Sequence, residues 1–254
     1  MSWLESPGRG AAATVVLAHN LMAHAGTFAD VAGRLAPRFR VLAVDLRGHG
    51  ASAGAPRPFT TRDLADDLAA VLDASGVESA YVAGTSLGAA AAVELALMRP
   101  QRVRGLALMA ATPFAARPLD RLKFAALAAV LRGLGPGPVT PAILQQLLGA
   151  SYRASEPAGV TEMAARIRAS GGRDLAYAVR AWTRRPRLAG RLAAIRAPTL
   201  VVVGSEDTSC PRRCSEAIAA EVPGSTFREV TGAGHTVQLE RPAEVAAILT
   251  EWIG

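Results

Sequence analysis

A chain of 254 residues is long enough for one large domain with a deep core or for two small ones. Half of it is hydrophobic and 19% is charged, which excludes a disordered, collagen-like or disulfide-scaffold protein. The net charge of +7 is carried by arginine, since Lys123 is the only lysine, and no basic run or basic-aromatic repeat accompanies it; nucleic acid is not an expected partner.

The apolar stretch 11–18, followed by Ala23-His24-Ala25, has the outline of a signal peptide. Glu5 offsets Arg9 in its basic region, however, and the stretch serves better as a core strand. Continuous apolar runs recur along the chain: TVVLA at Thr14–Ala18, RVLAVD at Arg40–Asp45, AYVAG at 80–84, VRGLALMAA at 103–111 and TLVVVG at Thr199–Gly204. Runs that are unbroken rather than alternating are the pattern of strands covered on both faces in a parallel sheet. A sixth, TFREV at Thr226–Val230, is more polar and suits an edge.

Helices are expected between them. Thr61–Ala74 opens with Asp63 in its first turn and ends before Gly76, 87–99 stops at Pro100, and 211–222 and Pro242–Ile253 each begin at a proline. Alternating strands and helices predict a doubly wound α/β sheet. The interval 114–196 breaks the rhythm, with helical segments punctuated by GPGP, SEPAG and SGG and no strand-like run. Eighty residues are too many for a loop in a compact domain, so an all-helical lid is expected there, inserted into a core formed by 1–113 and 197–254. Its first helix carries an apolar face from Leu119, Leu122, Leu127, Val130 and Leu131, expected to pack on the core domain or to roof the substrate. Tyr152, Tyr177 and Trp182 are candidate pocket walls.

Cys210 and Cys214, four apart, are expected on one face of a helix as free thiols in a reducing, cytoplasmic compartment, because no further Cys or His is spaced to complete a metal site. No stretch of eighteen apolar residues occurs, so no membrane span is expected.

The chemistry concentrates at Gly84-Thr85-Ser86-Leu87-Gly88, between a strand and a helix. A sharp strand-to-helix turn strains the backbone of its central residue and leaves room only for glycine two positions either side. The helix start then brings its dipole and free N–H groups to the Ser86 oxygen. Serine needs a base, and the base an acceptor to orient it. His235, in the Gly-rich loop after the last strand, and Asp207, after the TLVVVG strand, come in the order Ser, Asp, His that this architecture uses. The plain alternatives are a helix N-cap for Ser86, a loop histidine for His235 and a surface carboxylate for Asp207, with Glu206 as substitute acid.

Together with the LAHN turn, DLRGHGAS at 45–52, GSEDTSCP and GAGHTVQLERP, these residues resemble the α/β-hydrolase superfamily, in its lidded branch of small esterases, enol-lactonases and cofactor-free perhydrolases. The resemblance implies an α/β-hydrolase fold without metal or cofactor, Ser86, Asp207 and His235 as catalytic triad, and an oxyanion hole from the backbone N–H groups of Leu21 and Leu87. It implies structural roles for His19 and His49, and for Asp45 a part in holding the Arg47 loop. His24 is expected to face solvent. Two departures stand out. His19-Asn20 replaces the usual His-Gly, so Asn20 is expected to supply the left-handed turn and is a candidate substrate contact. The N-terminus also looks too short for the first edge strand.

The expected reaction is hydrolysis of a small carboxylic ester or lactone through an acyl-enzyme, since serine at the elbow argues against the carboxylate chemistry of related dehalogenases and epoxide hydrolases. Carbon–carbon hydrolysis of β-diketone-like substrates, thioester hydrolysis, and a non-hydrolytic or ligand-binding role are the alternatives. Residues 114–196 hold thirteen arginines and Lys123 against Asp120, Glu156, Glu162 and Asp174, a net +10, while the remainder is net −3. Arg180, Arg184, Arg187 and Arg191 recur at near-helical spacing, either as a solvated face or as an attractor for an anionic acyl substrate.

Overall fold

The computed structural model describes residues 1–6, 8 and 13–254; Arg9 and the start of the 11–18 stretch lie outside them. In chain order the elements are β1 (Ser2–Ser6), β2 (Thr14–Ala18), α1 (Ala29–Leu35), β3 (Arg40–Asp45), α2 (Thr61–Ala74), β4 (Ala80–Thr85), α3 (Leu87–Met98) and β5 (Val103–Met109). Five helices follow, α4 (Pro118–Leu134), α5 (Thr140–Leu147), α6 (Ala150–Ser155), α7 (Pro157–Ala169) and α8 (Gly172–Thr183). The chain closes with β6 (Thr199–Gly204), α9 (Arg212–Glu221), β7 (Thr226–Val230), α10 (Val237–Glu240) and α11 (Pro242–Ile253).

The seven strands form one sheet in the order β1-β3-β2-β4-β5-β6-β7, parallel except for β1. Every residue of β2 and β6 is buried, as expected of strands with helices on both faces. Residues of α1 and α11 cover one face, while α2, α3 and α9 contribute to the core on the other. α2 begins with a reciprocal cap, Thr60 accepting from the Asp63 amide and Asp63 from the Thr60 amide.

The expectation that the first edge strand is missing is corrected by β1, which pairs antiparallel with β3 from Ser2 opposite Asp45 to Ser6 opposite Val41. An edge strand packs on one neighbour, so five residues with Leu4 in solvent suffice, and no apolar run announces it. The left-handed turn is also relocated: among the described non-glycine residues, positive φ falls on Met22 (64°), Ser86 (52°) and Ala110 (47°), and not on Asn20.

Between β5 and β6, α4 to α8 form a helical insertion with an apolar cluster of its own that includes Leu131, Ile143, Leu147, Ile167 and Val179. α4 packs chiefly on α8, so its apolar face is split: Leu131 is buried against that cluster, while Leu119 and Leu122 are exposed. The two crossings into the insertion are tied together, with the Leu188 and Ala189 amides on the Pro113 carbonyl. Cys210 precedes α9 and only Cys214 lies on it; both thiols are free and buried. Among the described residues no helix is long and apolar enough to cross a membrane.

Candidate active site

The chain runs from β2 outward to β3 and then returns to β4, so the sheet changes winding direction between β2 and β4, where ligands of such sheets gather at the carboxyl ends of the strands. Leu21 follows β2 there, and Ser86 follows β4. Ser86 adopts φ 52° and ψ −104°, a strained conformation for a side-chain-bearing residue. Its amide donates to Met109 O at 3.0 Å and its carbonyl accepts from Ala90 N at 2.9 Å, so sheet and helix hold it from both sides. A Cβ on Gly84 would meet the Gly88 carbonyl group, and one on Gly88 would run into the Ala18 carbonyl. These contacts bring the α3 N-terminus against the end of β2, and Gly88 N donates to His19 O at 3.2 Å.

Asp207 and His235 are brought together from the ends of β6 and β7. His235 Nδ1 donates to Asp207 Oδ2 at 2.9 Å, which leaves Nε2 as an acceptor. Asp207 Oδ1 also accepts from the Ser209 and Cys210 amides at 2.9 and 2.8 Å. Burial pushes the Asp207 carboxyl up, but His235 and these amides hold it below its ordinary range. Ser86 and His235 are both 4% exposed, and among the described residues no hydrogen bond joins them. Glu206, the substitute acid, turns instead to the insertion and accepts from the Ser151 amide and hydroxyl.

The turn after β2 is held by two buried histidines. His19 Nδ1 donates to Asn20 O at 2.8 Å while Nε2 accepts from Leu46 N at 3.0 Å. His49 Nε2 accepts from Met22 N at 3.2 Å, fixing the left-handed residue, and its Nδ1 faces Arg47 O. Burial lowers the basicity of both rings, of His19 well below the ordinary range. Asp45 accepts from the Ala25 and Ala51 amides, tying this loop to the next, whereas Arg47 is held by Asp67. His24 is half-buried rather than facing solvent, and its Nδ1 accepts from Gly26 N. The Asn20 side chain is fully buried and engaged within the protein, with Thr236, the Leu21 carbonyl and Gln238.

The chain matches the alpha/beta hydrolase fold family over residues 13–242. It belongs to that family. It is 32% identical over 261 residues to the pimeloyl-[acyl-carrier protein] methyl ester esterase of Chromobacterium violaceum, covering 98% of this chain and 96% of that one. It is 31% identical over 255 residues to a 2-hydroxy-6-oxononadienedioate/2-hydroxy-6-oxononatrienedioate hydrolase of Pseudomonas putida, covering 92% and 84%. Among solved structures, the thermophilic esterase of Thermogutta terrifontis superposes with a TM-score of 0.94 at 27% identity, covering 99% and 92%.

In this α/β hydrolase, further residues support the site that sequence reading did not single out. Gln238 accepts from Thr85 Oγ1 at 3.0 Å and donates to Asn20 Oδ1 at 3.1 Å. One buried amide thus joins the residue before Ser86 to the residue before Leu21. Glu240 Oε2 accepts from the Gly149 and Gly234 amides at 2.9 and 2.7 Å, and Oε1 from Thr236 N at 3.1 Å. Burial pushes its carboxyl up, although all three amides favour the charged form. The His235 loop therefore hangs on the same carboxylate as the α5–α6 junction of the insertion. Polar residues at 236, 238 and 240 alternate with apolar Val237 and Leu239 in GHTVQLERP, a pattern that could have flagged them.

A cleft of about 890 Å³ lies between the insertion and the loop after β6, lined by Thr208 and Ser209 but by neither Ser86 nor His235. Of the three candidate walls, Trp182 lines it, Tyr152 belongs to the insertion's own core and Tyr177 faces a second cleft beside Arg180 and Arg184. The arginine series divides as well: Arg180, Arg184 and Arg187 are exposed, whereas Arg191 pairs with the buried Glu94 at 2.7 and 3.1 Å. Among the described residues, no group of three or more His, Cys, Asp or Glu side chains is arranged to hold a metal ion.

Proposed function

We propose that this α/β hydrolase is a serine hydrolase that cleaves a small carboxylic ester or lactone through an acyl-enzyme intermediate, with the helical insertion as its lid. The observation that carries the reading is Ser86, held in a strained left-handed turn at the α3 N-terminus on the sheet edge where Asp207 and His235 meet. In the proposed cycle His235 Nε2 takes the Ser86 proton as the oxygen attacks the acyl carbon, and then returns it to the leaving alcohol. Water repeats the attack and releases the acid. Negative charge on the tetrahedral oxygen falls to the Leu21 and Leu87 amides; Leu87 opens α3, where an amide has no intrahelical acceptor.

The ester reading is supported by the similarity to a methyl ester esterase. A second reading, carbon–carbon hydrolysis of a β-diketone-like substrate, draws on the Pseudomonas putida relative, whose named substrate is an oxo-dioate. The net positive insertion favours an anionic acyl substrate, and the two free, buried thiols fit a cytoplasmic location. A panel of p-nitrophenyl esters of rising acyl length, with lactones and a β-diketone alongside, tests the reading. Turnover of an ester or lactone that disappears in Ser86→Ala supports it, and turnover that survives Ser86→Ala overturns it.

A further inference from the structure

Arg185 lies just beyond α8, where the chain leaves the insertion, and is 8% exposed. Its Nη1 donates to Trp182 O at 2.6 Å and its Nη2 to Phe114 O at 2.8 Å, while the guanidinium stacks over the Trp182 ring with its carbon 3.6 Å from the centroid. Both acceptors are neutral carbonyls. No acidic side chain forms an ion pair with it among the described residues, and its Nε–H is buried without any acceptor. Burial lowers its pKa to about 10, still well above neutrality, so the group is a cation. An unneutralised guanidinium in a water-poor setting is costly unless something anionic completes it.

The surroundings say what would complete it. Arg185 lines the cleft of about 890 Å³, whose walls include Phe114, Phe124, Leu127, Ile143 and Trp182. The same lining carries Lys123, Arg187 and Arg213, which are exposed and make no ion pair among the described residues, while its one carboxylate, Asp120, is taken by Arg117. Apolar walls suit an alkyl chain. The one guanidinium donor left without an acceptor, Nε–H, suits a carboxylate oxygen, whose charge also neutralises the cation. The loop after β6 enters the cleft through Thr208 and Ser209, the residues directly after Asp207.

We propose that Arg185 is a carboxylate-binding residue of this cleft, and that the protein takes acyl compounds bearing a second, distal carboxylate on an alkyl chain. That the other end of such a compound is the cleaved ester rests on the function proposed above; recognition of the carboxylate does not. Lys123, Arg187 and Arg213 draw the anion to the cleft, and Arg185 holds it.

The probes are adipamate and adipamide, equal in length and different by one carboxylate, which adipamide replaces with a neutral amide. In calorimetric titration wild-type protein binds adipamate more tightly than adipamide, and Arg185→Gln loses about 10–100-fold of the adipamate affinity, the range for a charged hydrogen-bonded contact, while adipamide is unaffected. Equal binding of the two probes by wild type, or a preference for adipamate that survives Arg185→Gln, overturns the proposal. Should Arg185→Gln fail to fold, the wild-type protein answers alone. Its buried Nε–H, followed by arginine-selective 15N NMR, shifts on adipamate and not on adipamide, and an unmoved resonance at saturating adipamate overturns the assignment. Neither measurement involves turnover, so a failed ester panel leaves this subsite standing, and a failed adipamate preference leaves the Ser86 chemistry standing.

Discussion

Replacing Glu240 by glutamine probes the joint between the His235 loop and the insertion. The carboxylate accepts three amides, two at Oε2 and one at Oε1, and is 3% exposed. Glutamine has one acceptor oxygen. It can keep the Gly149 and Gly234 amides only by turning its NH2 toward the Thr236 N–H, donor against donor. One charged hydrogen bond is lost and one buried donor is orphaned, which together cost about 2–4 kcal/mol. For a chain of this length that corresponds to a fall in Tm of roughly 4–16 °C.

The fall is read by calorimetry, and its location by hydrogen exchange. Because Thr236 follows His235 directly and Gly149 opens α6, exchange at Thr236, Gly234 and Gly149 accelerates together in Glu240→Gln, with β2 and β4 unchanged. Glu206→Gln is the comparison: it also touches α6, through Ser151, but at the surface, and costs well under 1 kcal/mol. A Glu240→Gln protein with wild-type Tm and unchanged exchange at those three amides would show that the carboxylate does not hold the two segments together.

His19 and His49 are neutral because burial depresses them, so their contribution to stability is present above the unfolded value of about 6.5 and is lost as pH falls below it. Tm is therefore lower at pH 5 than at pH 7, and His49→Gln, which keeps an acceptor for Met22 N, makes the dependence shallower; an equally steep dependence would assign the loss elsewhere. Arg191→Met strips the fully buried Glu94 of its bidentate partner, with Arg62 remaining at 3.6 Å. It lowers stability by about 2–3 kcal/mol in urea denaturation, and adding Glu94→Leu restores most of the loss. With an anionic ester, kcat/KM falls steeply as salt screens the insertion's charge, and a flat salt response would discard electrostatic attraction.

The sheet was legible because its inner strands are buried on both faces, so Thr14–Ala18, Arg40–Asp45 and Thr199–Gly204 read directly as unbroken apolar runs. Edge strand β1 was not, because only one side of it is paired and its exposed Leu4 carries no pattern. Short α1, with Gly33 inside it, has too few turns to show a period. The placement of Ser86, Asp207 and His235 beyond the carboxyl ends of β4, β6 and β7 was legible since each sits in a local glycine, aspartate or histidine signature. Residues that act across long sequence separations were not: Asn20 and Gln238 meet only in the fold, and the buried charge of Arg185 depends on neighbours from both crossings of the insertion. Asn20 was read as a turn former from its type, but His49 places the positive φ two residues later, at Met22.

The proposed chemistry stands on Ser86 as an activated nucleophile, which a fluorophosphonate traps covalently. Intact mass and peptide mapping after incubation are expected to show one adduct per chain on Ser86, lost in Ser86→Ala and strongly slowed in His235→Ala. A folded protein that carries no adduct, or carries it on another residue, would contradict it.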